Sequence, residues 1–358
     1  MQFQVENMEI PPMTLNYRRL AARFPGVSLA ALLCLAMTFQ TNSGGAFAQQ
    51  AAKSRPLMLV TWFGPGAIVI PDGPDWKLEM LTVYDKGRRP VAQFKKADSG
   101  LTVSFILFEN LSGNPGSQGC REDAITPIIR NEGKSVSNRV DGEVKSETGE
   151  PLATTSYLID MNLPGGHHQH NLFGFAGNSK TCAEIHISGV AETPTEDAAM
   201  NALLADFKPD LAYQPTAADY FRLATVLFKN SPELAAPYYK SSLDAMPTDS
   251  RFITLRRIAT DQLVMSLGMS GDLKDSRAVA EKAIAADPDY PINYYNLACV
   301  DAEEGNTTDA RTHLQQAFDR RANVLKGESM PDPAKDDSIL KLKKDKAFWS
   351  FVLTLPRN

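Results

Sequence analysis

The feature that most constrains this chain is a fixed spacing near its C-terminus. Tyr294 to Ala322 reads YYNLACVDAEEGNTTDARTHLQQAFDRRA. Apolar or small residues fall at Tyr294, Leu297 and Ala298, then at Ala310, Leu314 and Ala317, with Gly305 at the break. Steps of three and four on either side of a glycine predict two amphipathic helices joined by a tight turn. The same marks occur upstream: Gly271 to Gly305 and Leu263 to Leu297 are both 34 residues. A period of that size means one supersecondary unit repeated. Each unit buries its apolar face only by stacking on the next.

Three units can be read. The first pairs Thr216–Phe228, with Tyr220, Leu223, Ala224 and Leu227 inward, and Leu234–Ala245, ending at Pro247. Its turn is one residue short, and Ser231-Pro232 stands where the later units have glycine. The second runs from about Phe252 to Pro288, with Leu263, Val264, Leu267, Gly271, Ala280 and Ala283 on the pattern; the third contains Tyr294–Ala322.

The helix–turn–helix text and its period resemble the tetratricopeptide repeat family. The resemblance implies a solenoid whose inner helices line a peptide groove at repeat positions 5, 9, 12 and 13. These map to Phe221, Thr225, Phe228 and Lys229; to Asp261, Met265, Gly268 and Met269; and to Tyr295, Cys299, Ala302 and Glu303. Family members that clamp a peptide carboxylate carry Lys and Asn at such positions. Phe221 and Thr225 depart from that, so the implied groove is apolar, with adaptable Met and aromatic side chains. The alternative is a groove filled by the protein itself. A solenoid must also cover its last apolar face. Ser338 to Leu355, with Leu340, Leu342, Phe348, Trp349 and Val352, is expected to be that capping helix, and Lys341 to Lys346 its solvated side.

The first 48 residues read as a targeting segment. Arg18, Arg19 and Arg23 precede the uncharged stretch Val27–Phe39, which is short for a membrane span, and Ala46-Phe47-Ala48 is an A-x-A site with cleavage expected before Gln49. Met13 is a candidate start. Ala21 and Ala22 follow the arginine pair where a twin-arginine signal has bulkier residues, which favours the general secretory route. Leu33 before Cys34 speaks against a lipid anchor. The expected location is periplasmic or extracellular, with no stable membrane span after cleavage.

Between leader and repeats the text turns β-like. Pro56–Ile70 is a strand or an extended arm. Strands are expected over Trp76–Val83, Pro90–Lys95, Leu101–Glu109, Val136–Lys145 and Leu152–Asp160, then a hairpin of His170–Ala176 and Thr181–Val190 around Gly177-Asn178. Helices are expected over Cys120–Glu132, despite Pro127, and over Thr195–Phe207, with Thr195 as cap. The fold class is therefore α+β: a mainly antiparallel sheet with two helices over 56–208, a linker at 209–215, repeats over 216–325 and a capping helix over 326–358. The order of elements over Trp76–Phe207 is similar to the PsbP-like α/β/α sandwich, a resemblance that rests on order alone.

At 358 residues the chain is long enough for two domains, and its 43% hydrophobic and 22% charged content is that of a globular protein. A net charge of −5 offers no basic excess for nucleic acid. Cys120, Cys182 and Cys299 follow the leader, and export permits a disulfide. Cys120 with Cys182 is the preferred pair and Cys299 a buried thiol; the alternative is that Cys120 and Cys182 are separate thiols. A thiolate activated at a helix N-terminus is a further reading of Cys120.

His167, His168 and His170 cluster in GGHHQH and are weak metal candidates, since no carboxylate or Cys stands at ligand spacing. Glu184 and His186 share a strand face and could form an acid–base pair, although a strand histidine satisfied by its neighbours is the simpler reading. G-x-S-x-G, H-E-x-x-H, phosphate-loop and dinucleotide signatures are absent from the stretch after the leader. The expectation is an exported, non-catalytic adaptor without cofactor that binds a protein or peptide partner. The alternative is small-ligand or metal binding by the sheet domain.

Overall fold

A computed structural model describes residues 56–85, 88–111, 113–146, 149, 151–161, 168–190 and 193–357. The leader, its expected cleavage site, His167 and part of the Asp85-Lys86-Gly87 turn lie outside the described residues. Two compact units part between Ala280 and Glu281. The first contains the sheet together with the first helices of the C-terminal region.

Pro56–Ile70 forms a small antiparallel hairpin of β1 (Met58–Val60) and β2 (Ala67–Val69). The main sheet holds β3 (Trp76–Tyr84), β4 (Arg89–Lys96), β5 (Thr102–Glu109), β6 (Val136–Lys145), β7 (Pro151–Asp160), β8 (His168–Gly177) and β9 (Thr181–Gly189). Its order is β3-β4-β5-β9-β8-β7-β6, and every pairing is antiparallel. Three strands are laid down first. Helix α1 (Ser117–Glu132) then carries the chain to the far edge, and the last four strands walk back until β9 joins β5.

Strand alternation sorts the side chains into two cores. Phe105 and Leu107 of β5, Ile185 and Ile187 of β9, and Leu172 of β8 face α2 (Pro194–Ala205) and the β1–β2 hairpin. Phe108, Phe173, Phe175 and Cys182 face α1, which contributes Cys120, Ala124 and Ile125. The result is helix, sheet, helix, in the α+β class expected. Pro127 sits inside α1, which continues past it. The cap of α2 is Thr193, whose Oγ1 accepts from Glu196 N at 3.2 Å, rather than Thr195. Pro194 then occupies the first helical position, where its fixed φ suits the start of a helix.

The stretch 209–215 is tied to the sheet domain. Ala67 N donates to Asp210 O at 2.9 Å and Gly66 N to Tyr213 O at 2.8 Å. Tyr213 OH reaches Asp219, which closes a capping box with Thr216 at the start of α3 (Ala217–Phe228).

The helical region continues with α4 (Pro232–Ala245), α5 (Ile253–Met269), α6 (Leu273–Ala286), α7 (Pro291–Glu303) and α8 (Thr307–Asp319). Two of its turns are near copies. After α5, Asp272 N bonds Leu267 O at 2.9 Å and Gly271 N bonds Gly268 O at 3.1 Å. After α7, Asn306 N bonds Asp301 O at 2.8 Å and Gly305 N bonds Ala302 O at 3.2 Å. Both glycines are left-handed, with φ of 83° and 78°. Each turn is a Schellman-type stop that glycine adopts without a Cβ penalty. The turn after α3 lacks it: Asn230 N and Ser231 N both bond Leu227 O.

The end of the chain departs from expectation. Ser338–Leu355 is two short helices, α9 (Asp337–Leu340) and α10 (Lys346–Thr354). Asp345 Oδ1 accepts from Ala347 N and Phe348 N, both at 3.0 Å, and so starts a new helix. The lysines from Lys341 to Lys344 therefore lie in the turn between two helices and not along one helix. No helix among the described residues is long and apolar enough to cross a membrane.

Candidate functional site

The twelve groove positions read from sequence fall into three groups. On α3, Phe221 is buried and meets Tyr239 of α4 edge-on at 5.8 Å; Phe228 meets the same ring at 6.2 Å. Both phenyl rings close the α3–α4 pair. Thr225 Oγ1 donates to Phe221 O at 2.8 Å, and Lys229 is exposed.

On α5, Asp261, Met265 and Met269 recur every fourth residue and form one stripe. Asp261 and Met265 are half-buried, and Met269 is 51% exposed. Gln262 Nε2 lies 3.2 Å from Asp261 Oδ2 and 4.0 Å from Met265 Sδ. An apolar thioether standing in solvent at the end of a helix stripe can adapt to an incoming apolar group.

On α7 the equivalent stripe is Tyr295, Cys299 and Glu303, and the chain's own C-terminal segment covers it. Tyr295 is fully buried; its OH donates to Asp336 Oδ2 at 3.2 Å. Cys299 Sγ lies 3.7 Å from Asp336 Oδ1, and Glu303 pairs with Lys341. The same Asp336 Oδ1 caps α9 by accepting from Ser338 N at 3.1 Å and Ile339 N at 3.4 Å. Met330, Ile339 and Leu342 bury beside it, and α10 packs on α8 with Arg311 4.7 Å over the Phe351 ring. Sequence reading missed Asp336. Its capping role could be found from an Asp-Asp-Ser start, but its contact with α7 spans 37 residues or more and leaves no local trace.

The sheet domain holds the remaining candidates. Cys120 and Cys182 form a disulfide with Cα atoms 5.5 Å apart. Cys120 is therefore no activated thiolate, and Cys299 remains a thiol, half-buried and not buried as expected. The bridge crosses from α1 to β9 in a crowded place: a Cβ on Gly177 would lie 2.2 Å from Cys120 Sγ and 2.7 Å from Gly116 O.

Glu184 and His186 share the α1 face of β9 but have separate surroundings. His186 stacks on Phe173 at 4.1 Å, and its Nε2 meets Asn171 Oδ1 at 2.9 Å. Burial pushes the ring down to about 4, so it is neutral at pH 7 with Nε2 as the donor. Glu184, 4% exposed, lies between Ile106 of β5 and Phe175 of β8. Burial pushes its carboxyl up to about 7, against the opposite pull of the Arg89 cation. Arg89 covers the Phe108 ring at 4.7 Å, and its Nε lies 3.8 Å from Asp85 Oδ2, with no hydrogen-bond partner among the described residues.

Of the clustered histidines, His170 Nδ1 pairs with Asp197 Oδ1 at 3.0 Å. His168 lies at the start of β8, with Asp160 opposite in register. No group of three His, Cys, Asp or Glu arranged for a metal occurs among the described residues.

No family model matches the chain. No curated protein matches it either. Among solved structures it is similar to a multi-domain immunophilin from Arabidopsis thaliana, with 10% identity, 69% of this chain and 99% of that chain covered, and a TM-score of 0.27. A likeness that loose carries no weight for fold or role.

Proposed function

We propose that the three helix pairs α3–α4, α5–α6 and α7–α8 are tetratricopeptide repeats and that the protein is an exported, non-catalytic adaptor. The observation that carries this reading is the copied helix stop at Gly271 and Gly305, 34 residues apart with the same hydrogen bonds. Repeated helix pairs of this kind offer a surface to protein partners. The partner surface is assigned to the α5 stripe of Asp261, Met265 and Met269. The matching α7 stripe is occupied by Asp336 and its neighbours. The partner is a protein segment with apolar side chains, which thioethers accommodate without fixed geometry. Export is supported by the basic, apolar and A-x-A succession before Gln49.

The test is affinity capture from an envelope extract with the full chain, quantified against Met265→Asp/Met269→Asp. A partner enriched by the wild type and lost from the double variant supports the assignment. Equal recovery by both removes it. Cell fractionation with N-terminal sequencing of the product tests export; a chain that keeps residues 1–48 in the cytoplasmic fraction contradicts it.

A further inference from the structure

The sheet face that carries Phe105 and Ile185 is covered by two separate elements. The β1–β2 hairpin packs on β4 and β5, while α2 packs on β8 and β9. A cavity of about 320 Å³ lies between them. It is lined by Phe105 and Ile185 of the sheet, Val69 of the hairpin, Leu203, Phe207 and Trp76.

Five of those six side chains are wholly apolar, and Trp76 adds a single indole N–H. Trp76 is held edge-on to Phe94 at 5.8 Å and tilted on Phe105 at 6.3 Å, yet it is only half-buried. Val69 at the mouth is 50% exposed. Away from the rim such a lining gives a water molecule at most one side-chain donor, short of the two to four polar partners it needs, and apolar surface left open costs free energy that a ligand can recover. The polar liners, Asp206 and Lys208, are exposed. The size is informative: an apolar cavity of about 150 Å³ is enough to hold benzene.

We propose that this cavity is a binding site for a small apolar molecule of the size of a fused bicyclic ring, with at most one polar end directed to the rim at Asp206 and Lys208. The site is on the sheet domain and does not depend on the adaptor reading.

The test is calorimetric titration of the full chain with indole, a fused bicycle with a single polar N–H. Val69→Trp and Leu203→Trp each put an indole ring at a lining position. Saturable binding to the wild type, weakened at least about ten-fold in variants that melt like the wild type, is the expected result. Should Leu203→Trp fail to fold, Val69→Trp, at a half-exposed position, decides alone. No saturable uptake up to the solubility of indole, or equal affinity in wild type and a folded variant, overturns the proposal.

Discussion

The stripes on α5 and α7 occupy the same place in a 34-residue period and have opposite fates. Asp261, Met265 and Met269 are open or half-open, whereas Tyr295, Cys299 and Glu303 are held by Asp336 and Lys341 of the same chain. The two stripes also differ in side-chain chemistry. A tyrosine hydroxyl, a thiol and a carboxylate meet Asp336 and Lys341 on α7, whereas α5 carries one carboxylate, Asp261, and two thioethers that offer adaptable apolar surface. The period thus places the positions, and the side chains at them decide whether the protein closes over itself or stays available.

Truncating one stripe and then the other should break this symmetry most visibly. Tyr295→Ala empties a fully buried aromatic site and is expected to cost about 3–5 kcal/mol by denaturant unfolding. Met269→Ala, at an exposed position, is expected to stay within about 0.5 kcal/mol. Similar losses from both would contradict the distinction.

Glu184→Gln acts on the unit that carries α5 and serves as its internal control. The folded carboxyl titrates at about 7 against a usual value of 4.5, so the native state holds a proton that the unfolded chain has released. Wild-type stability from this group is whole below pH 4.5 and is lost as the pH rises through 7. The variant should therefore match the wild type at pH 4 and exceed it at pH 8–9, by on the order of 3 kcal/mol. A pH-independent difference would show that Glu184 is not the titrating group. Thiol labelling of Cys299 should not respond.

Asp336→Ala sharpens the same contrast from the covering side. It removes the acceptor of the buried Tyr295 hydroxyl and the cap of α9, at a cost of about 2–3 kcal/mol. The rate at which Cys299 reacts with a maleimide should rise markedly. An unchanged rate would mean that the segment stays seated without its carboxylate. A small effect is expected at Tyr238, whose hydroxyl is buried with no hydrogen-bond partner among the described residues. Tyr238→Phe should be neutral or stabilising by up to about 1 kcal/mol; a clear loss in thermal melting would reveal a partner that the structure does not show.

Local pattern made much of the fold legible. Leu101–Glu109 carries a continuous apolar run, as a strand covered on both faces should, and the glycines at 271 and 305 stop their helices where the text changes. The cysteine pairing followed from both residues lying in one domain. What escaped had competing local signals or none. Thr195 reads as the cap of α2, but Thr193 caps it, with Pro194 at the first helical position. The apolar residues of Ser338–Leu355 fit one long helix, but Asp345 takes two backbone donors and divides it. The cover over α7 depends on Tyr295 and Cys299 meeting Asp336, 41 and 37 residues away, and no window of sequence encodes that. The cavity under Trp76 arises where two covering elements fail to meet, which is a tertiary outcome.

Photo-crosslinking with benzoylphenylalanine placed at 269 and, separately, at 299 compares the two stripes in the native envelope. The α5 position is predicted to form adducts with a second protein, and the α7 position to crosslink only within the chain, into the segment around Asp336. Intermolecular adducts from 299 with none from 269 would contradict the assignment of the partner surface to α5.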